Sequence, residues 1–271
     1  MTRSNWLAAF CFAALFSASF MLNDDRDLFI NTLGLLIVIS GTLGALFLSY
    51  PTGNIIAALK VSRNAYLSRL PTTNEIVDTL IYLSVHSRQK GVLVLENAEE
   101  ETSISFLKRA LGMLVDNFSV DELRDILYTE MYYFKQRRSQ HERLFRHAAR
   151  LAPAFGVAGS VIGLITMLSG IGNPEVILKT IPVALTSTLY GIVIGNFLLM
   201  PMAENISVKT SRELMIQKLI TDGVIAIRQE QNSQRLLKKL ESFLTPSARE
   251  DKQQTFEEIR ERVRSMRLDE A

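Results

Sequence analysis

Apolar and polar positions in this chain are segregated into long blocks rather than mixed. Four blocks, residues 6–22, 33–50, roughly 151–171 and 181–203, are apolar and contain no Asp, Glu, Lys, Arg or His. About 20 apolar residues suffice for a helix to cross the hydrocarbon core of a bilayer. The pattern therefore predicts four transmembrane helices. Arg3 before the first block gives it the look of a secretory leader, but the block is long for one and a second follows almost at once, so it is read as a retained span.

Short polar segments punctuate the blocks. Residues 23–31 form a loop with Asp24, Asp25 and Asp27 against Arg26. Pro51 is expected to close the second span, since proline cannot continue a helix. Gly170, Gly172, Asn173 and Pro174 predict a chain reversal between the third and fourth spans. Pro153 is expected to open the third span, where proline is tolerated. Pro201 falls inside a helical stretch at the end of the fourth and should kink it or free a carbonyl.

The polar blocks read as helical too. Ser119 and Glu122 have the spacing of a capping box. Leu123, Ile126, Leu127, Met131 and Phe134 follow at helical intervals. Neither Gly nor Pro interrupts residues 119–152, so this helix is expected to run unbroken into the third span. Asn74–Lys90 is amphipathic, with Ile76, Leu80, Ile81 and Leu83 on its buried side. No strand-like alternation persists. The fold class expected is an all-α integral membrane protein, with four transmembrane helices and long cytoplasmic helical extensions.

Charge then orients the chain. The composition is 48% hydrophobic and 21% charged, too much charge for a wholly embedded protein. Domains are expected at 1–51 (first two spans), 52–150 (cytoplasmic helical domain), 151–203 (third and fourth spans) and 204–271 (cytoplasmic helix and tail). Nearly all Lys and Arg lie outside the 23–31 and 170–180 loops, which places both termini and residues 51–150 in the cytoplasm. A net charge of +2 offers no general case for nucleic-acid binding. Cys11 is the single cysteine, so no disulfide or thiolate metal site can be built within the chain. His141 and His147 are six residues apart and do not share a helical face with each other. No nucleophile–base pair or metal cluster is evident, and no enzyme activity is expected.

What the spans do carry is small and hydroxylated. The third contains Gly156, Gly159, Ser160 and Gly163; the fourth contains Thr186, Ser187, Thr188, Gly191 and Gly195. Small residues let membrane helices approach closely. The hydroxyls can bond back to their own helices, satisfy one another, or line a wet path. An ion-conducting span normally holds an ionisable group, so if this chain conducts, another chain must supply the charge.

Four segments together resemble the MotA family of flagellar stator subunits, within the wider MotA/TolQ/ExbB group. They are Ser40-Gly-Thr-Leu-Gly-Ala45 running to Tyr50-Pro51; Ser87-Arg-Gln-Lys-Gly91 through Leu95-Glu96; Ala152-Pro-Ala-Phe-Gly156 with Gly159-Ser-Val-Ile-Gly163; and Thr188-Leu-Tyr-Gly191 leading to Pro201. The resemblance covers about residues 33–245, and four spans favour the MotA branch over TolQ and ExbB.

The resemblance implies a stator in the bacterial inner membrane. Five subunits would form a ring around two copies of a MotB-like, single-span, peptidoglycan-binding partner that supplies a membrane aspartate. It implies an ion pathway at Ser160, Thr188 and Ser187, and torque coupling through Pro153 and Pro201. Arg88, Lys90, Glu96 and Glu99 would face a FliG-like rotor switch protein. The implied cargo is H+ or Na+, with H+ favoured; no cofactor is implied, and membrane lipids would surround the ring. Two other readings stand beside it: a similar ring powering gliding or outer-membrane transport, and a membrane scaffold that conducts nothing.

Overall fold

The computed structural model describes residues 3–22, 26–68, 70–91, 95, 104–229, 232–244, 246 and 248–249, and almost all of them are helical. The elements are α1 (Arg3–Met21), a 3-10 turn (Arg26–Phe29), α2 (Thr32–Ser49), α3 (Thr52–Leu67), α4 (Thr73–Lys90), α5 (Ser105–Val115), α6 (Val120–Ser169), α7 (Pro174–Val193), a π-helical turn (Ile194–Leu199), α8 (Met200–Arg228) and α9 (Ser233–Glu241).

By length and composition, three helices among the described residues are apolar enough to cross a membrane: α2, part of α6, and part of the continuous stretch Pro174–Arg228. A shorter apolar helical segment, Phe10–Ser19, lies within α1. Leu33, Leu36, Leu43, Phe47 and Leu48 of α2 remain exposed while Gly34, Val38, Thr42 and Leu46 are buried on one face. A helix apolar on every side belongs in lipid or in a larger core.

The chain forms two compact units, Met1–Ser68 with Arg138–Val208, and Arg69–Arg137 with Lys209–Ala271. These divisions fall within α6 and α8, so each of the two helices contributes residues to both units. In the first unit α3 joins the membrane helices: Ile55, Ala58 and Ala65 bury with Leu46, Leu144, Phe145, Ala148, Ala203 and Ile206. Phe16 of α1 stacks on Phe197 of the π-turn, with ring centroids 5.0 Å apart.

The second unit is an apolar helical core. Ile76, Leu80 and Ile81 of α4, Leu107 and Leu111 of α5, Leu123 and Leu127 of α6, and Leu219 and Ile220 of α8 are fully buried there. The amphipathic reading of residues 74–90 is thus realised, and α4 starts on a capping box in which Thr72 and Glu75 bond to each other's backbone N–H. The second capping box is also formed. Glu122 accepts the Ser119 N–H at 2.8 Å and its own N–H reaches the Ser119 hydroxyl at 3.3 Å.

Two local expectations change. Pro153 does not open a helix; it sits deep inside the 50-residue α6. The fourth apolar helix starts earlier than its apolar block: Asn173 caps it, accepting the Glu175 N–H, and Pro174 takes the first helical position. Residues 174–180, read as part of the 170–180 loop, are helical, since a Pro at that position costs nothing and Asn supplies the missing acceptor.

Candidate functional site

The α6 and α7 helices run antiparallel and approach as closely as backbones can. A Cβ placed on Gly191 would lie 2.5 Å from the Ala152 carbonyl oxygen. One on Gly156 would meet the Ser187 carbonyl oxygen at 2.9 Å, and one on Gly163 would meet Ala184 Cβ and backbone at 2.9 Å. No side chain fits at those distances, so glycine at these positions sets the register. The register pairs residue 163 with 184, 156 with 188 and 191, and 152 with 191.

This register brings Ser160 and Thr188 together. Their hydroxyl oxygens are 2.6 Å apart. The Ser160 hydroxyl also donates to the Ala184 carbonyl across the interface, and Thr188 Oγ1 lies 3.5 Å from the Gly156 carbonyl oxygen. With the Ser160 proton on Ala184, Thr188 is the donor of the shared bond. The result is a chain of two hydroxyls ending on a carbonyl, half-buried, in helices whose apolar blocks hold no charge. It can pass a hydrogen bond or coordinate a cation by neutral oxygens, but it neither takes up an extra proton nor ionises near neutral pH.

Ser187 is placed differently. It is fully buried, donates to the Val183 carbonyl at 2.6 Å, and packs where a Cβ on Gly34 or Gly159 would strike it. One residue of helical rotation, about 100°, separates it from Thr188. The structure therefore joins Ser160 to Thr188 and turns Ser187 toward α2. Thr186 donates to the Pro182 carbonyl at 2.6 Å.

The two prolines flank the same contact. Pro153 has no N–H for the carbonyl of Ala149, four residues earlier. That carbonyl faces Gly195, where a Cβ would lie 2.7 Å from it and 3.0 Å from Pro153 Cδ. Pro201 poses the same problem for α8. Its ring would strike the Phe197 carbonyl in a regular helix, and the turn Ile194–Leu199 is π-helical instead, which is the wider geometry that relieves the clash. The expected disturbance at Pro201 is this widened turn.

Of the predicted rotor-facing charges, Arg88 is exposed in the last turn of α4, where a cation suits the helix C-terminus. Lys90 is the final residue of α4, and Gly91 ends the helix with φ of 86°. Glu96 and Glu99 lie outside the described residues. Among the described residues no group of three or more His, Cys, Asp or Glu is placed to hold a metal ion.

Two features of the site have no counterpart in the sequence reading. Tyr190 reaches the start of α2, where its hydroxyl accepts the Asn31 N–H at 2.7 Å and donates to the Phe29 carbonyl. A tyrosine inside an apolar block is the signal that points there, since a half-buried phenol in apolar surroundings needs a partner. The other is an ion pair between α6 and α8. Arg146 bonds Glu142 at 2.8 Å within α6 and Glu204 at 2.9 Å on α8. Those carboxylates hold the Arg146 guanidinium above its usual pKa. Arg146 and Glu204 look like ordinary surface charges in the sequence, and nothing there pairs them.

Known proteins match this arrangement along most of the chain. Residues 98–218 match the MotA/TolQ/ExbB proton channel family. Motility protein A of Bacillus subtilis is 30% identical over 215 residues, which is 79% of this chain and 80% of that one. Chemotaxis protein PomA of Vibrio alginolyticus is 28% identical over 229 residues, 84% of this chain and 90% of PomA. The structure of the flagellar MotAB stator complex from Bacillus subtilis superposes with a TM-score of 0.82 at 28% identity, covering 93% of this chain and 98% of that one. A multi-pass membrane chain of all-α fold, built on the antiparallel, glycine-seated α6–α7 pair, belongs to the MotA/TolQ/ExbB proton channel family on its motility protein A branch.

Proposed function

We propose that the chain is the stator subunit of an ion-driven rotary motor that turns the flagellar rotor, and that it carries out no bond chemistry. The observation that carries this reading is the Ser160–Thr188 hydroxyl pair in apolar blocks without Asp, Glu, Lys, Arg or His. Such a pair serves an ion path only if a carboxylate comes from elsewhere. A MotB-like partner, present in the solved complex of the Bacillus relative, is the natural source.

The detailed assembly is five copies of this chain around two single-span, peptidoglycan-binding partner chains, each bringing one membrane Asp. Ser160 and Thr188 line the ion path, and Ser187 packs behind them against α2. Pro153 and Pro201 couple ion passage to the cytoplasmic helices. Arg88, Lys90, Glu96 and Glu99 meet a FliG-like rotor protein. The cargo is H+, a reading supported by the match to a proton channel family; no cofactor takes part. Both termini and residues 52–150 face the cytoplasm of a bacterium, and lipid surrounds the ring in the inner membrane.

The test is reconstitution of the chain with its partner, freed of any segment that plugs the path. Acidification is then followed under an imposed membrane potential. Proton uptake that disappears when the partner's membrane carboxylate is neutralised supports the reading. A complex that assembles yet passes neither H+ nor Na+ refutes it.

A further inference from the structure

The Arg146 pair spans an interval that helix geometry alone does not close. At the Ala149–Gly195 contact the backbones touch. From there to the Arg146–Glu204 pair, α6 advances three residues while the opposite strand of helix advances nine, through the π-turn and Pro201. At about 1.5 Å per residue the two helices differ by roughly 9 Å along their axes. Two long side chains bridge that difference because of their direction. A helical side chain leans toward its own N-terminus. Since α6 and α8 are antiparallel, Arg146 and Glu204 lean toward each other. Arg146 also places an N–H 3.8 Å from the sulfur of Met200, the residue before Pro201.

We propose that Arg146 is a positioning residue: it latches α8 to α6 across the π-turn, gripping the chain on both sides of Pro201, so that movement of the membrane helices is passed to the cytoplasmic part of α8. The pair is not a stability element. Glu204 is 53% exposed and Arg146 32%, and exposed pairs contribute little to stability. Its use is registry. Without it the π-turn is a compliant joint, and displacement of α7 is absorbed there. Glu142 steadies the guanidinium from within α6 and is not itself part of the bridge.

This inference rests on the stator reading, and its test separates the two. Three variants, Arg146→Gln, Glu204→Gln and Glu142→Gln, are purified with the partner and scored for complex assembly, ion flux through the unplugged complex, and swimming speed in cells lacking the native gene. Arg146→Gln and Glu204→Gln should assemble and conduct within about twofold of the unmodified chain but swim at least fivefold slower. Glu142→Gln should swim within twofold of the unmodified chain. Arg146→Glu with Glu204→Arg, made in the Glu142→Gln background to remove the new like-charge neighbour, should recover much of the speed. If flux and speed fall in parallel, if Glu142→Gln is as damaging as Glu204→Gln, or if the reversed pair recovers nothing, the latch is wrong. If the unmodified complex itself neither conducts nor supports swimming, the stator reading has failed instead.

Discussion

Ser160 and Thr188 face each other across α6 and α7 with their hydroxyl oxygens 2.6 Å apart, and Ser160 spends its own proton on the Ala184 carbonyl. Thr188 is therefore the hydroxyl whose proton completes the pair, and the Gly156 carbonyl lies 3.4 Å from Ser160 and 3.5 Å from Thr188.

The two hydroxyls should respond differently to removal. Thr188→Val leaves Ser160 bonded to Ala184, so the fold is kept while the relay loses its first donor. A typical net hydrogen bond is worth about 1 kcal/mol, or roughly fivefold in rate, and ion flux through the unplugged complex should fall by at least that. Ser160→Ala removes the bond between helices as well, and should lower both flux and thermal stability. Unchanged flux in Thr188→Val would reduce the pair to packing.

Glycine at the α6–α7 contact is required by space. Gly191→Ala must push against the Ala152 carbonyl, a backbone atom that cannot swing away. Overpacking of this kind costs about 1–3 kcal/mol, and yield of the folded chain in detergent should drop severalfold. Gly44→Ala meets nothing within 4 Å and should be neutral or slightly stabilising, since it replaces Gly inside α2. Equal behaviour of the two variants would contradict the register described above.

Tyr190→Phe tests the tie between α7 and the start of α2. It leaves the Asn31 N–H and the Phe29 carbonyl without the phenol oxygen that serves both. An unsatisfied buried polar group costs about 1–3 kcal/mol. The melting temperature of the purified chain should fall, while ion flux at low temperature should be retained. Loss of flux without loss of stability would instead place Tyr190 on the ion path.

The start of α6 should be acid-sensitive. The Ser119 hydroxyl, and then its backbone N–H, hold the Glu122 carboxyl below its ordinary value of 4.5. A depressed carboxylate stabilises the folded form at every pH above that ordinary value. The contribution disappears as pH falls through the lowered folded value. Thermal melts between pH 7 and pH 3 should therefore show an acid loss that is smaller in Glu122→Gln, whose amide does not titrate. Parallel pH profiles for the two chains would show that the cap carries no linked proton.

Much of the fold is legible because a bilayer leaves little choice. Backbone polar groups cannot be left unpaired in hydrocarbon, so charge-free apolar blocks become helices. The 74–90 periodicity likewise selects Ile76, Leu80, Ile81 and Leu83 as a buried face. Helix starts are partly legible: Ser119–Glu122 is, and the reversal at 170–173 is, whereas 174–180 is helix rather than loop because Glu175 and Lys179 hide a helix that begins before its apolar block. The site was legible in its ingredients, the Gly, Ser, Thr and Pro of two spans, and not in its geometry.

Local chemistry alone sets the helices, their punctuation and the absence of an intramembrane charge, because these follow from hydropathy, capping and the missing N–H of proline at each position. Partner choice is a matter of register between helices. Gly156, Gly163 and Gly191 admit backbone contact at one alignment. That alignment pairs Ser160 with Thr188 and turns Ser187 toward α2. It also carries Arg146 to Glu204 over 58 residues of chain, a meeting that no pattern along the sequence announces, because it depends on how far a π-turn lets one helix advance past the other.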